Sequence, residues 1–221
     1  MLVVLLLSLM LPCLYTVWTY WPVVIVYGGA TTRNTDYKDI VQRLQQKWPL
    51  ATIVVLCPME TIGKAWWAEP QPSCYDIQYY AQWYDDREAY MHAHAWATAV
   101  NDSSLRTVLA IGLSYVVAWR RLFVVGFSNG CVPAQDLVFH AKADGVWMAS
   151  GLPADHQSWT MLANVSRKVA TVSTHEKFFG GSRRMQYYLQ SCAGFKIFTG
   201  GYRHGREDTV PALISAALAQ L

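Results

Sequence analysis

The stretch Leu122-Phe-Val-Val-Gly-Phe-Ser-Asn-Gly-Cys131 decides the fold of this chain. Its first four residues form an apolar run with two β-branched members, which is typical of a short buried strand. The run ends at G-F-S-N-G, and the sequence from Val132 to Lys142 has helical composition. The sequence therefore predicts a strand, a sharp turn and a helix, with Ser128 at the turn.

The G-x-S-x-G pattern makes Ser128 the candidate nucleophile. Gly126 and Gly130 have no Cβ, so a strand and a helix can pack closely on either side of a serine whose backbone is strained. The pattern is short and arises by chance, and the alternative interpretation is an ordinary strand-to-helix turn.

Length and composition indicate one well-buried domain. The chain has 221 residues, of which 53% are hydrophobic and 15% charged, and its net charge is +3. No run of basic residues is longer than two, so binding to nucleic acid is not expected. We predict one domain over residues 21–221, preceded by a separate hydrophobic segment at residues 1–20.

The N-terminal segment is almost unbroken apolar sequence, and the first charged residue of the chain is Arg33. Three interpretations remain open: a signal peptide, a membrane anchor interrupted at Pro12, or a first buried strand at Leu2 to Leu7. The first two would make the protein secreted or membrane-associated, and the third would leave it cytoplasmic.

Strands and helices alternate along the rest of the chain. Pro22 to Ala30 is an apolar run that ends in paired glycines, Asp36 to Trp48 has the spacing of a helix face, and Ala51 to Cys57 returns to β-branched residues. A strand, a helix and a strand with short connections imply parallel strands. Further strands are predicted at Leu122 to Val125, Gly145 to Ala149, Lys168 to Thr174 and Phe195 to Phe198. The fold class is therefore α/β, with six strands in a mostly parallel central sheet flanked by helices.

A long connection rich in Pro, Gly and aromatic residues runs from Pro58 to about Tyr84. Long ordered loops often act as lids or binding loops, so Trp66 and Trp67 are candidate substrate contacts, although they could also plug one end of the core. Helices are predicted at Asp85 to Val100 and at Ser104 to Trp119.

Neither the cysteines nor the histidines form a metal-binding motif. The five cysteines contain no C-x-x-C pair, and whether any of them form disulfides stays open. His92 and His94 are two residues apart in a segment of helical composition, where they would point in different directions. No metal site and no cofactor are therefore expected.

A serine hydroxyl needs a base that removes its proton and a third group that orients this base. His204, in Gly200-Gly-Tyr-Arg-His-Gly205, follows the last predicted strand and is the candidate base. Glu176 follows the penultimate strand and is the leading candidate for the acid, with Asp155 as the runner-up.

Two more acidic residues, Glu207 and Asp208, come directly after the histidine loop. A C-terminal helix is predicted from Thr209 to Leu221, and negative charge at its start would suit the helix dipole. We therefore interpret both residues as belonging to the beginning of that helix.

From Pro22 onward, the chain resembles the α/β-hydrolase superfamily of serine esterases and lipases. The resemblance rests on the G-F-S-N-G elbow, on the loop Tyr27-Gly-Gly-Ala30, and on the order Ser128, Glu176, His204. Two positions differ from the usual pattern, since Tyr27 stands where the family often has His and the acid is Glu rather than Asp. The chain has room for little of the family's first two strands, so a minimal sheet is expected.

The resemblance implies an esterase mechanism. Ser128 would attack an ester carbonyl with His204 as base, and water would then hydrolyse the acyl-enzyme. The backbone N–H groups of Asn129 and of Gly29 or Ala30 would hold the oxyanion.

The expected substrate is a small-molecule or lipid-like ester, contacted by Trp66, Trp67 and Tyr27. A thioesterase or a polyester hydrolase would use the same chemistry, and a non-catalytic binding protein with the hydrolase fold is the alternative of a different class. Membrane association through residues 1–20 stays open, as does the oligomeric state.

Overall fold

The computed structural model of the protein describes residues 21–29, 32–57, 103–151, 162, 164–176, 181–187, 189–190 and 194–221. In this part of the chain the strands are β1 (Val23–Tyr27), β2 (Thr52–Leu56), β3 (Leu122–Phe127), β4 (Gly145–Ala149), β5 (Arg167–Ser173) and β6 (Lys196–Gly200). The α-helices are α1 (Lys38–Lys47), α2 (Ser103–Ser114), α3 (Cys131–Ala141), α4 (Ser182–Tyr187) and α5 (Pro211–Gln220). Short 3₁₀ turns lie at Asn34–Tyr37, Ser128–Gly130 and Glu207–Thr209.

The six strands form one sheet in the order β2-β1-β3-β4-β5-β6, and every neighbouring pair is parallel. From β1 the chain first adds β2 on one side and then adds β3 on the other side. The strand order therefore reverses at the position between the neighbouring strands β1 and β3, which is a topological switch point. In open α/β sheets, the crevice at the carboxyl end of such a switch point is where ligands bind. The predicted fold class, an α/β domain with a parallel central sheet flanked by helices, is confirmed.

Both faces of the sheet are covered, as expected when parallel strands are joined by helices. Along β1, Val23, Ile25 and Tyr27 face the core that contains α3 and the partly buried residues of α2. Val24 and Val26 face the opposite core, which includes the apolar residues of α1 and α5. All five β1 residues are buried, which explains why this strand is a continuous apolar run instead of an alternating one.

The strand register brings the carboxyl ends to one edge. Tyr27 is opposite Gly126, and Phe127 is opposite Ala149, so β1, β3 and β4 end side by side. On the far side, Ser173 at the end of β5 is opposite Gly200 at the end of β6. Whatever follows each strand therefore emerges along the same edge of the sheet.

The end of α2 and the start of α5 differ from the sequence prediction. Helix α2 ends at Ser114, not at Trp119. Its last turn is closed by 3₁₀-type hydrogen bonds, in which the N–H groups of Tyr115 and Val116 donate to carbonyl oxygens three residues earlier. The β-branched pair at Val116 and Val117 disfavours further helix. Helix α5 begins at Pro211, whose missing N–H is no loss in the first turn.

Several predictions fall on residues outside the described ranges: the N-terminal segment at 1–20, the connection from Pro58 to Tyr84, the helix from Asp85 to Val100, and His92 with His94. Within the described ranges, no helix combines the length and apolar character that crossing a bilayer requires.

Gly126 holds β3 and α3 together at close range. A Cβ at this position would lie 2.7 Å from the Cα of Cys131 and 2.8 Å from the Cβ of Ala134. We expect Gly126→Ala to lower the free energy of unfolding by about 3 kcal/mol, because backbone atoms of the helix would have to move. Gly201→Ala is the matched control, since a Cβ there would meet its nearest atom at 3.7 Å. Chemical denaturation measures both; equal stabilities would contradict the expectation.

Candidate active site

The candidate site lies at the carboxyl edge of the sheet. Gly28 and Gly29 follow β1, the turn Ser128–Gly130 follows β3, and Ser150 follows β4. Glu176 comes three residues after β5, and His204 lies four residues after β6. All of these residues therefore lie at the edge of the sheet where the parallel strands end.

Ser128 occupies a sharp turn between β3 and α3. Its φ angle is +50°, in the left-handed region that residues other than glycine rarely adopt. Gly130 makes the turn possible, because a Cβ there would lie 2.4 Å from the carbonyl oxygen of Tyr27. The backbone thus turns against the end of β1, and Ser128 is only partly buried.

Ser128 and His204 are in direct contact. The distance between Ser128 Oγ and His204 Nε2 is 2.6 Å. The His204 side chain is 23% exposed, so the imidazole is accessible at the surface of the site. With Nε2 unprotonated, this ring nitrogen can accept the hydroxyl proton of Ser128.

The other ring nitrogen of His204 contacts Glu176. The distance from Nδ1 to Glu176 Oε2 is 2.7 Å, and the Glu176 side chain is fully buried. A carboxylate that accepts the Nδ1 proton selects the tautomer in which Nε2 faces the serine. Ser128, His204 and Glu176 therefore form one continuous series of hydrogen bonds.

Ser173, the last residue of β5, contacts the loops that carry Glu176 and His204. Its hydroxyl donates to the carbonyl oxygen of Tyr202, and it accepts from the backbone N–H of His175 at 3.0 Å. The N–H of Glu176 donates to the carbonyl oxygen of Ser173 at 3.2 Å. A buried serine thus ties together the loops of Glu176 and His204.

The glycine loop after β1 runs beside Ser128. A Cβ on Gly29 would lie 3.6 Å from the Cβ of Ser128. The Gly29 N–H donates to the hydroxyl of Tyr37 at 2.9 Å, and that hydroxyl donates to Thr32 Oγ1 at 3.2 Å. In turn, Thr32 Oγ1 donates to the carbonyl of Gly29 at 2.9 Å.

Tyr37 was not singled out by the sequence analysis, and it changes the role available to Gly29. Burial raises the pKa of the Tyr37 hydroxyl above its ordinary value, so it stays protonated and can hold the loop. The Gly29 N–H, expected as an oxyanion donor, is already engaged in this structure. The N–H groups of Asn129 and Ala30 remain as donors to propose, and Ala30 lies outside the described residues.

Tyr27 lies in the core beneath the site. Its side chain is fully buried, and a Cβ on Gly112 of α2 would lie 2.3 Å from its hydroxyl oxygen. Burial, with a smaller contribution from the charge of Asp136, raises the pKa of this hydroxyl. Tyr27 was expected to contact substrate, whereas the structure packs it against α2; a contact with substrate stays a prediction.

Three other predicted residues lie outside the described ranges: Trp66, Trp67 and the runner-up acid Asp155. In the part of the chain that is described, no group of three or more His, Cys, Asp or Glu side chains could hold a metal ion. Cys57 and Cys131, both described, are buried.

The expectation that Glu207 and Asp208 begin the C-terminal helix is wrong. Both lie in the 3₁₀ turn before it, and Glu207 is only 1% exposed. Ser150 Oγ donates to Glu207 Oε1 at 2.5 Å. Burial raises the pKa of the Glu207 carboxyl from 4.5 to about 7. Pro211 was the available signal, since a proline in the first turn of a helix leaves Glu207 outside it.

Comparison with solved structures shows the fold. The chain superposes on esterase PE8 with a TM-score of 0.52 at 15% identity, covering 90% of this chain and 93% of that one. Other matches include acyl-protein thioesterase 2 of Zea mays, with a TM-score of 0.46 at 14% identity over 90% of this chain and 94% of that one. A carboxylesterase from Mesorhizobium loti matches with a TM-score of 0.46 at 15% identity, over 90% and 89% of the two chains.

No protein-family model matches this chain, and no curated protein matches it in sequence. The match to esterase PE8, at 15% identity, shows an α/β-hydrolase-like fold and nothing finer.

The raised pKa of Glu207 makes stability depend on pH. Between about pH 4.5 and 7 the folded chain keeps a proton on Glu207 that the unfolded chain releases, so this group makes the free energy of unfolding fall as pH rises. The full effect is about 3 kcal/mol. We expect Glu207→Gln, which cannot ionise, to gain about this much relative to wild type between pH 4.5 and pH 8. Urea denaturation at both pH values measures it, and a constant difference would contradict it.

Proposed function

We propose that this α/β-hydrolase-like chain is a serine hydrolase that cleaves carboxylic esters through an acyl-enzyme intermediate. The observation that carries the proposal is the hydrogen-bonded series from Ser128 through His204 to Glu176, with contacts of 2.6 Å and 2.7 Å. A serine, a base and an orienting carboxylate in this order are what nucleophilic acyl transfer requires.

In the first half of the reaction, Ser128 Oγ attacks the ester carbonyl carbon while His204 Nε2 takes its proton. The buried carboxylate of Glu176 stabilises the imidazolium that forms and keeps the ring oriented. His204 then returns the proton to the alkoxide leaving group, and the acyl group stays on Ser128. In the second half, water takes the place of the alcohol, with His204 again acting as base, and the carboxylic acid is released.

The tetrahedral intermediate carries an oxyanion that needs hydrogen-bond donors. The N–H of Asn129 is the first candidate, because this residue directly follows the nucleophile in a turn whose backbone is held by Gly130. Ala30 is proposed as the second, since its neighbour Gly29 already donates to Tyr37. Each such donor lowers the barrier by about 3 kcal/mol.

The left-handed backbone of Ser128 also supports the proposal. Strained conformations of this kind persist where the surrounding structure holds them, and they concentrate at functional sites. Here the holding contacts are those of Gly126 with α3 and of Gly130 with the end of β1.

We expect Ser128→Ala to lower the hydrolysis of p-nitrophenyl acetate and butyrate by a factor of about 10³ or more, because the nucleophile is removed. Ser215→Ala, which changes an exposed serine on α5, is the matched control and should behave as wild type. A fluorophosphonate probe should label wild type and the control at Ser128 but not the Ser128 variant. A folded wild type that neither hydrolyses these esters nor reacts with the probe would point to the non-catalytic alternative.

The acid is tested by charge removal at constant shape. Glu176→Gln should lower kcat by a factor of about 10³–10⁴ with the fold intact, because the amide no longer selects the productive tautomer. Asp208→Asn is the control and should change kcat little. The Asp208 carboxyl lies on the same loop as His204 and pairs with Arg206. Asp155→Asn should also have little effect, and a larger loss there than at Glu176 would assign the acid to Asp155.

A further inference from the structure

The loop that carries His204 is held on both sides of the histidine. Two residues before it, the carbonyl of Tyr202 accepts a hydrogen bond from Ser173 at the end of β5. Three residues after it, the side chain of Glu207 accepts from Ser150 at the end of β4. Between these points a backbone bond from Arg206 to Arg203 closes a turn around His204.

We propose that Glu207 is a positioning residue: its buried carboxyl, bound to Ser150, holds His204 at the distance from Ser128 that proton transfer requires. This inference rests on the proposed hydrolase function, since it assigns a second carboxyl to the same reaction. Glu207 acts through the loop and touches neither the serine nor the substrate.

The partner of Glu207 is itself rigidly placed. Ser150 is fully buried, its N–H donates to the carbonyl of Thr171 in β5 at 2.9 Å, and its φ angle of +49° lies in the left-handed region. A non-glycine residue rarely adopts this conformation, so the surrounding structure must hold it there. The Ser150 hydroxyl is thus fixed relative to the sheet. Its hydrogen bond to Glu207 therefore fixes the position of the loop that carries His204.

Glu207 also places a second carboxyl near the pair formed by His204 and Glu176. Burial raises the pKa of Glu207 to about 7, so its charge changes within the working range of a histidine base. The titratable groups that face it are His204 and Tyr202 of its own loop, Glu176 after β5, Cys131 of α3 and Tyr37 before α1. Among them His204 alone becomes a cation during the proposed reaction.

The charge on Glu207 therefore has a defined effect on the reaction. Below pH 7 the carboxyl is neutral and acts through its hydrogen bond alone. Above pH 7 it is negative and favours the imidazolium that His204 becomes when it takes the proton of Ser128. A residue that only completes the fold would give no such step at pH 7.

The first arm of the test removes the hydrogen bond between Glu207 and Ser150. Glu207→Ala should lower kcat for p-nitrophenyl butyrate by a factor of about 10–100 while KM changes less than about threefold, because the base is displaced but the acyl site is not. Glu207→Gln keeps an acceptor for Ser150 and should restore kcat at pH 6 to within about threefold of wild type. Asp208→Ala, which removes the exposed neighbouring carboxyl, should leave both constants unchanged.

The second arm measures the charge. The ratio of wild-type to Glu207→Gln kcat should be constant below pH 6 and rise about fivefold by pH 8.5, because titrations common to both proteins cancel in the ratio. If Glu207→Ala does not fold, Ser150→Ala takes its place and should lower kcat in the same range. The inference would be overturned if the ratio of the two kcat values did not change with pH and Glu207→Ala, or Ser150→Ala in its place, kept the kcat of wild type. A wild type without esterase activity would instead overturn the proposed function.

Discussion

The contact of Gly130 with the end of β1 is the constraint on which the site depends. The carbonyl oxygens of Tyr27 and Gly28 lie where a side chain at this position would have to be, at 2.4 Å and 2.5 Å from an added Cβ. This approach forces the chain to turn immediately after β3, and the turn leaves Ser128 at φ +50° beside the glycine loop. A larger residue would separate β1 from the start of α3 and move the serine away from the edge where the histidine arrives.

Much of this arrangement could be predicted from the sequence, because it follows from local patterns. Apolar runs mark the six strands, and parallel strands place whatever follows them at one edge. Ser128, Glu176 and His204 each lie within four residues of the end of a strand, so their meeting required only that the sheet order allow it. The sheet order itself was not predicted, since strand neighbours depend on packing between segments that are distant in sequence.

The residues that escaped prediction act through tertiary contacts. Tyr37 precedes a helix and gave no local sign that its hydroxyl would take the N–H of Gly29. Glu207 has the composition of a helix start, and only the surrounding fold reveals that its carboxyl is buried against Ser150. Tyr27 ends a strand next to the glycine loop, which made it look accessible, whereas α2 covers its side chain. In each case the sequence indicated where the residue lies along the chain, but not which neighbours its side chain contacts.

Ser128 and His204 belong to parts of the sheet with different exposure. Ser128 follows β3, a fully buried central strand, while His204 follows β6, an edge strand whose residues are exposed or half-buried. Serine and histidine are separated by 76 positions along the chain, so no local segment contains the site. Edge elements open more readily than central ones. A partial opening at β6 would withdraw His204 from Ser128 while the central strands stay folded, so the proposed activity would be lost in a local fluctuation well before the domain unfolds.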